Sequence, residues 1–330
     1  MRKKSKICIA FITITALLNG LFLLSVNLGS IQVTFVELLR GLWVEYNPNV
    51  AAIYDLRFPR IIVAMLAGAA LAVAGVLFQA VLKNPLADPG IIGISSGASF
   101  AAMLVTICAP ACYLYAPLFA CLGGLIAFFM VYSLSWKGGL SPLRILLVGI
   151  AIDVMLKGLM NALDTMTGGS RTGVASIVEG NITMKTWKDV QLLAVYVLIG
   201  LVIAQCFSGK CNLLSLEDKT ARAIGVNIGH LRVMVSIVAV LLTSIATAIV
   251  GVVGFLGLIV PHIARIFVGS NHKILLPFSM LAGAFTFLLA DTVGRTICAP
   301  YEISASVVMA VVGGPFFILL LRKSGKTYGN

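Results

Sequence analysis

Long apolar runs, cut by short polar breaks, alternate along the whole chain. Ile7 to Val26 is the first, and Ile61 to Leu82 passes without one charge. Further uncharged runs fall at 91–136, 145–152, 190–207, 233–261, 274–290 and 303–321. About 20 apolar residues suffice for a helix to cross a bilayer. The run 91–136, broken by Pro110 and Pro117, is too long for one crossing and long enough for two. The run 145–152 reaches Leu163 only if Asp153 and Lys157 lie within the membrane. The run 233–261 would extend about 43 Å as one helix, yet basic residues flank it on both sides. Two basic flanks on one side of the membrane require an even number of crossings between them. Gly251, Gly254, Gly257 and Pro261 offer a place to turn, so the pattern predicts a helix over about 231–250 and a short or broken one over about 256–268. Broken helices are tolerated where they are buried in protein or line a cavity.

The expected fold is therefore an all-α polytopic membrane protein: one domain over residues 1–330, about ten crossings and both termini cytoplasmic. Charge supports the orientation. Arg40, Arg57, Arg60, Lys157, Arg171, Lys185, Lys188 and Arg295 fall outside or within the membrane, and the other basic residues of the 24 fall inside. The bias follows the positive-inside rule. The N-terminal basic cluster Arg2 to Lys6 precedes an apolar run long for a signal peptide and lacks a small-residue cleavage site, so it reads as the cytoplasmic end of the first helix.

Composition narrows the class. Only 11% of residues are charged and mean hydropathy is +1.05, far from a soluble domain at about 25% charged. The net charge of +12 lies in clusters between apolar runs, a topology signal rather than a nucleic-acid surface. The seven cysteines and three histidines form no CxxC and no ligand spacing, so no metal site is expected. Cys108 and Cys112 are expected near the outer face, where a disulfide can form, against the simpler role of apolar filler. No phosphate loop appears, and no GxSxG, HExxH or paired-carboxylate arrangement, so the chain is not expected to be an enzyme.

Two helical faces stand out. Gly68, Ala72, Gly75 and Gln79 share one face of the second helix, where small residues let membrane helices approach closely. Gln79, at its inner end, is the one member placed near a solute path. Asp153, Lys157, Asn161 and Asp164 make a polar stripe on the fifth helix. A charge near a helix centre costs about 2.5–3.5 kcal/mol on insertion scales, and an i,i+4 pairing of Asp153 with Lys157 would relieve part of it. The stripe reads either as pathway lining or as an ion pair buried between helices.

The ordered motifs closely resemble the FecCD type of ABC importer permease, which serves iron-siderophores, haem and cobalamin. The resemblance is carried by Asp55 to Phe100, with its break Lys83-Asn84-Pro85-Leu86-Ala87-Asp88-Pro89-Gly90. It continues through Arg144 to Ala151, Asn212 to Leu214 with Ala221 to Val226, and Gly254 to His262 with Ala264-Arg265. Leu276-Pro277, Ala290-Asp291-Thr292 with Arg295, and Gly313 to Phe317 complete it. Two departures are the stretch Ile177 to Thr183 and the charged pair on the fifth helix.

The resemblance implies a permease subunit that imports an iron chelate, a ferric siderophore or haem, by alternating access at a dimer interface in the cell membrane. Cobalamin import is the family alternative, and an ion-coupled secondary transporter the alternative outside it. The implied partners are a second permease subunit, two cytoplasmic ATP-binding subunits holding ATP and Mg, an external binding protein and the bilayer. A cytoplasmic coupling loop at about 208–230 would present Leu213, Leu214, Leu216, Glu217, Ala221, Arg222 and Gly225 to the ATPase; otherwise it is a solvated loop helix. Asn84, Leu86, Pro142 and Leu143 would narrow the inner gate. Arg57 and Arg60, expected just before the second helix, and Arg295, expected after the ninth, would dock the binding protein through its carboxylates. Their plainer reading is local: Arg60 anchoring a helix end and Arg295 pairing with Asp291 one turn back.

Overall fold

The apolar runs fold as helices that gather around one long post. The computed structural model describes residues 2–28, 34, 37, 40, 41, 43, 47–90, 92–135, 142–167 and 182–325, all helix, turn or irregular segment. In chain order the helices are α1 (Arg2–Asn27), α2 (Pro48–Leu82), α3 (Ile94–Cys108), α4 (Ala116–Ser135), α5 (Pro142–Met166), α6 (Trp187–Leu214), α7 (Asp218–Ala223), α8 (Ile228–Val250), α9 (Leu256–Val268), α10 (His272–Thr296) and α11 (Ala305–Gly325). A 3-10 turn at Pro110–Tyr115 separates α3 from α4. Among the described residues, seven helices are long and apolar enough to cross a membrane. α3, α9 and the apolar part of α11 are shorter, and with the seven they match the ten expected crossings.

α2 is the post. Its 35 residues extend about 52 Å at 1.5 Å per residue. It begins thirteen residues before the apolar run because Asn47 caps its first turn, accepting from the Asn49 amide at 2.9 Å, and Pro48 stands at its first position. It ends at Lys83 in the left-handed conformation, φ 50, with the Asn84 amide reaching back to the Gln79 carbonyl at 3.2 Å.

α10, α8, α6 and α9 pack around α2, and glycine sets how closely. A Cβ on Gly68 would stand 2.3 Å from the Gly283 carbonyl of α10, and one on Gly75 2.1 Å from the Gly257 carbonyl of α9. The small-residue face of α2 is thus a packing face. α5 rests on α3 and α4, α11 on α10 and α9, and both leave long apolar faces open.

The 233–261 run breaks where its glycines suggested. α8 stops at Gly251, φ 75. Residues 251–254 follow without helix, and Phe255, φ 66, starts α9. The Phe255 side chain lies against Gly313 of α11, where a Cβ would come within 2.4 Å of it.

Candidate functional site

Three groupings of charged and amide side chains stand out among the described residues of the bundle. One lies at the end where α1 finishes and α2 starts. The Arg60 guanidinium grips Asp291 of α10 through Nε at 3.0 Å and Nη2 at 2.8 Å. Its Nη1 donates to Glu302 at 2.8 Å, and Thr183 donates to the same carboxylate at 3.1 Å. Arg295 donates to the Ser25 carbonyl of α1 at 2.6 Å and approaches Asp291 at 4.0 Å. Arg57 donates to the Val26 carbonyl at 2.7 Å. Burial works against the charged form of Glu302, but the hydrogen bond and charge of Arg60 outweigh it and hold the carboxyl below its ordinary pKa.

This arrangement corrects the expected placement of the arginines. Arg57 and Arg60 lie inside α2 and Arg295 inside α10, because both helices run past their apolar segments. The side chains of Arg60 and Arg295 are only 7% and 8% exposed. A desolvated guanidinium has to be paired, and Asp291, 1% exposed, is the pairing group. The local reading of Arg295 holds as an i,i+4 approach to Asp291, while the bidentate partner of Asp291 is Arg60. Sequence reasoning missed the weight of Asp291 and Glu302. The available signal was an acid isolated in an apolar helix, which calls for a basic partner.

The second grouping is the α5 stripe. Lys157 pairs with Asp153 at 2.8 Å, one turn apart as anticipated, and Ser96 of α3 also donates to Asp153. Lys157 and Asn161 are exposed, and Asp153 and Asp164 half-buried. The stripe thus runs along the border of the α3 contact, with Asp153 turned toward α3 and Lys157 and Asn161 toward the open side of α5.

The third grouping lies at the opposite end of α2. Gln79 is 4% exposed and so lines no open space within this chain, contrary to its expected place beside a solute path. Its amide nitrogen donates to the carbonyls of Gly257 at 3.1 Å and Ala87 at 3.3 Å, and its oxygen accepts from Arg265 Nη1. Lys83 donates to the Leu216 carbonyl. The half-buried Asn84 accepts from the Leu86 amide at 3.0 Å and turns the loop. Asn212 at the end of α6 accepts from the His272 amide at 2.9 Å and from its Nδ1 at 2.8 Å. Arg265, read in the sequence as a basic residue of the inner side and as part of a family motif, is here the partner that meets the Gln79 oxygen.

The expected coupling loop is shorter than its 208–230 span, since α6 runs through Leu214 and α8 starts at Ile228. Leu213 and Leu214 therefore end a membrane helix, and Leu214 is buried. α7 stands between them, with Leu216, Glu217 and Ile224 exposed and Ala221 buried beneath. Gly225, φ 81, stops α7, and the Val226 amide bonds back to the Ala221 carbonyl at 3.1 Å. Pro142 and Leu143 sit in the first turn of α5 and Arg222 in α7, with side chains outside the described residues, as is the outer stretch 177–181. All seven cysteines are free thiols. Among the described residues no cluster of histidine, cysteine and acid could hold a metal.

Seven helices long and apolar enough to cross a membrane, tied by buried polar contacts at both ends of α2, define a multi-pass membrane protein. Residues 16–323 match the FecCD transport family. The chain belongs to that family. It is 41% identical over 324 residues to a Staphylococcus aureus protein named as a heme-iron transport system permease, IsdF, covering 98% of each chain, in strain MSSA476 and equally in strain MW2. Among solved structures it resembles a metal-chelate type ABC transporter in an inward-facing conformation. That likeness has a TM-score of 0.79 and 32% identity over 96% of this chain and 99% of the other. The PsaBC complex of Streptococcus pneumoniae shares the fold, with a TM-score of 0.59 and 17% identity over 87% of this chain and 95% of that one.

Proposed function

We propose that this chain is the single-domain permease subunit of an ATP-driven importer of iron chelates, with haem as its cargo. The observation that carries the cargo assignment is the full-length 41% identity to a permease named for heme-iron transport. ATP would be hydrolysed, with Mg, by two separate cytoplasmic subunits, and cargo would arrive from an external binding protein. A second permease subunit would cover the open apolar faces of α5 and α11.

The groupings take roles on this reading. α7, with Leu216, Glu217 and Gly225, meets the ATPase. Asn84, Leu86, Pro142 and Leu143 close the inner end. Asp153, Lys157, Asn161 and Asp164 face the path, a role supported by the exposure of Lys157 and Asn161 on α5. The binding protein docks on the outer end around Arg57 and Glu302. Arg60 and Arg295 shape that surface from within, since their own guanidinium groups are turned inward.

The test is reconstitution. The chain, its ATPase and its binding protein are placed in liposomes and offered haem, a ferric siderophore and cobalamin. Haem accumulation that needs ATP supports the assignment. Uptake of cobalamin alone, or haem uptake indifferent to ATP, overturns it.

A further inference from the structure

Gln79 sits where three separate pieces of the chain meet. Its amide hydrogens point at two carbonyls, Gly257 in the first turn of α9 and Ala87 in the loop after α2. A side-chain amide can face either way, since its nitrogen and oxygen exchange places on a flip. Arg265 removes that freedom. A guanidinium only donates, so its contact with Gln79 Oε1 fixes the oxygen toward α9's inner end and leaves the nitrogen for the two carbonyls. A flipped amide would set an oxygen against both carbonyls and an N–H against a cation. The surroundings allow little slack. Gln79 is 4% exposed, and one turn away the Gly75 and Gly257 backbones are in contact. The same loop is held on its other side, where Lys83 donates to the Leu216 carbonyl just before α7.

We infer that Arg265 and Gln79 are a positioning pair for transport: together they lock the α2–α3 loop to the broken helix α9, so that displacement of the α7 segment reaches α9 through the loop. This rests on the transport reading above. Neither residue needs to touch cargo or nucleotide. Arg265 acts by orienting an amide, and the amide acts by tying two backbones.

The chemistry separates this role from a simple polar contact. Gln79→Glu would strengthen the attraction to Arg265, but it would turn a carboxylate oxygen toward the Ala87 and Gly257 carbonyls and lose both ties. Arg265→Lys keeps a donor; Arg265→Met keeps only bulk. Haem taken up per ATP hydrolysed is measured in liposomes with ATPase and binding protein present. The expected result is a loss of about fivefold for Arg265→Met, the scale of one lost hydrogen bond, and a larger loss for Gln79→Glu, which gives up two, with Arg265→Lys keeping most of the wild-type ratio. A wild-type ratio in Gln79→Glu or Arg265→Met overturns the inference, and so does a lysine as defective as methionine.

Haem uptake by the wild-type complex checks the transport reading separately. Amide exchange of the chain in lipid nanodiscs needs no transport at all. Arg265→Met should speed exchange at 84–90 and 251–258 together and leave 291–304 unchanged. Exchange that is unaltered, confined to one of the two segments, or faster throughout counts against the pair.

Discussion

Removing Asp291 tests the outer ion cluster most directly. Asp291→Ala leaves Arg60, 7% exposed, with Glu302 as its remaining carboxylate contact, and that carboxylate is itself 39% exposed. It also removes the negative charge between Arg60 and Arg295. Breaking a buried pair by deleting one partner costs about 3–5 kcal/mol, whereas replacing both partners with apolar groups is near neutral or stabilising. For a chain of this size each kcal/mol moves the melting temperature by about 2 °C. Asp291→Ala should therefore melt about 6–10 °C below wild type. Arg60→Met with Asp291→Leu should recover the part of that loss due to the unpaired Arg60, while Arg295 still lacks the Asp291 charge. The assay is thermal unfolding in detergent, followed with a thiol-reactive dye that reports exposure of the buried Cys121 and Cys211. A single variant within about 2 °C of wild type would show that the pair contributes little. A double variant no more stable than the single would refute the reasoning about the unpaired charge.

Four further outcomes follow. Gly75→Ala puts a methyl 2.1 Å from the Gly257 carbonyl, a backbone atom that cannot swing aside, so α2 and α9 must separate at a cost of about 1–3 kcal/mol, read as a lower melting temperature. Gly225→Val forces a β-branched residue to φ 81, costing about 1–2 kcal/mol; uptake per ATP should fall while the chain still assembles, and unchanged coupling would speak against α7 as the ATPase contact. Asp153→Ala with Lys157→Ala should cut uptake while assembly and basal ATPase persist, and normal uptake would leave the stripe a structural role. Glu302 has its pKa lowered in the fold, so its stabilising contribution is complete above the ordinary carboxylate value of about 4.3 and is lost as pH falls through its lowered value; melting temperature should hold from about pH 7 to 5 and decline below about 4, less steeply in Glu302→Gln.

What the sequence disclosed was local. The bounds of α9 were legible because Gly251, Gly254 and Gly257 interrupt an apolar run whose two flanks are both basic. The Asp153–Lys157 pair was legible because one helical turn separates its members. The start of α2 was not. Asp55, Arg57 and Arg60 look like the polar edge of a crossing, and only a partner 231 residues away makes Arg60 affordable inside the bundle. Gln79 was marked by its helical face, but the carbonyls it serves and the arginine that orients it come from α9 and the following loop. Side chains that answer groups on other helices leave no periodic trace.

The same separation bears on how the protein is made. Arg60 leaves the ribosome 231 residues ahead of Asp291, about 12–46 s earlier at 5–20 residues per second. Throughout that interval the growing chain holds an arginine near one end of an inserted helix with its main counterion still unsynthesised. The long side chain can reach toward the headgroups while it waits, and the apolar segment below it supplies the insertion energy. Docking of α10 against α2 then withdraws that arginine from the lipid surface, so closure of the outer end is a late event in biogenesis, set by the arrival of one aspartate.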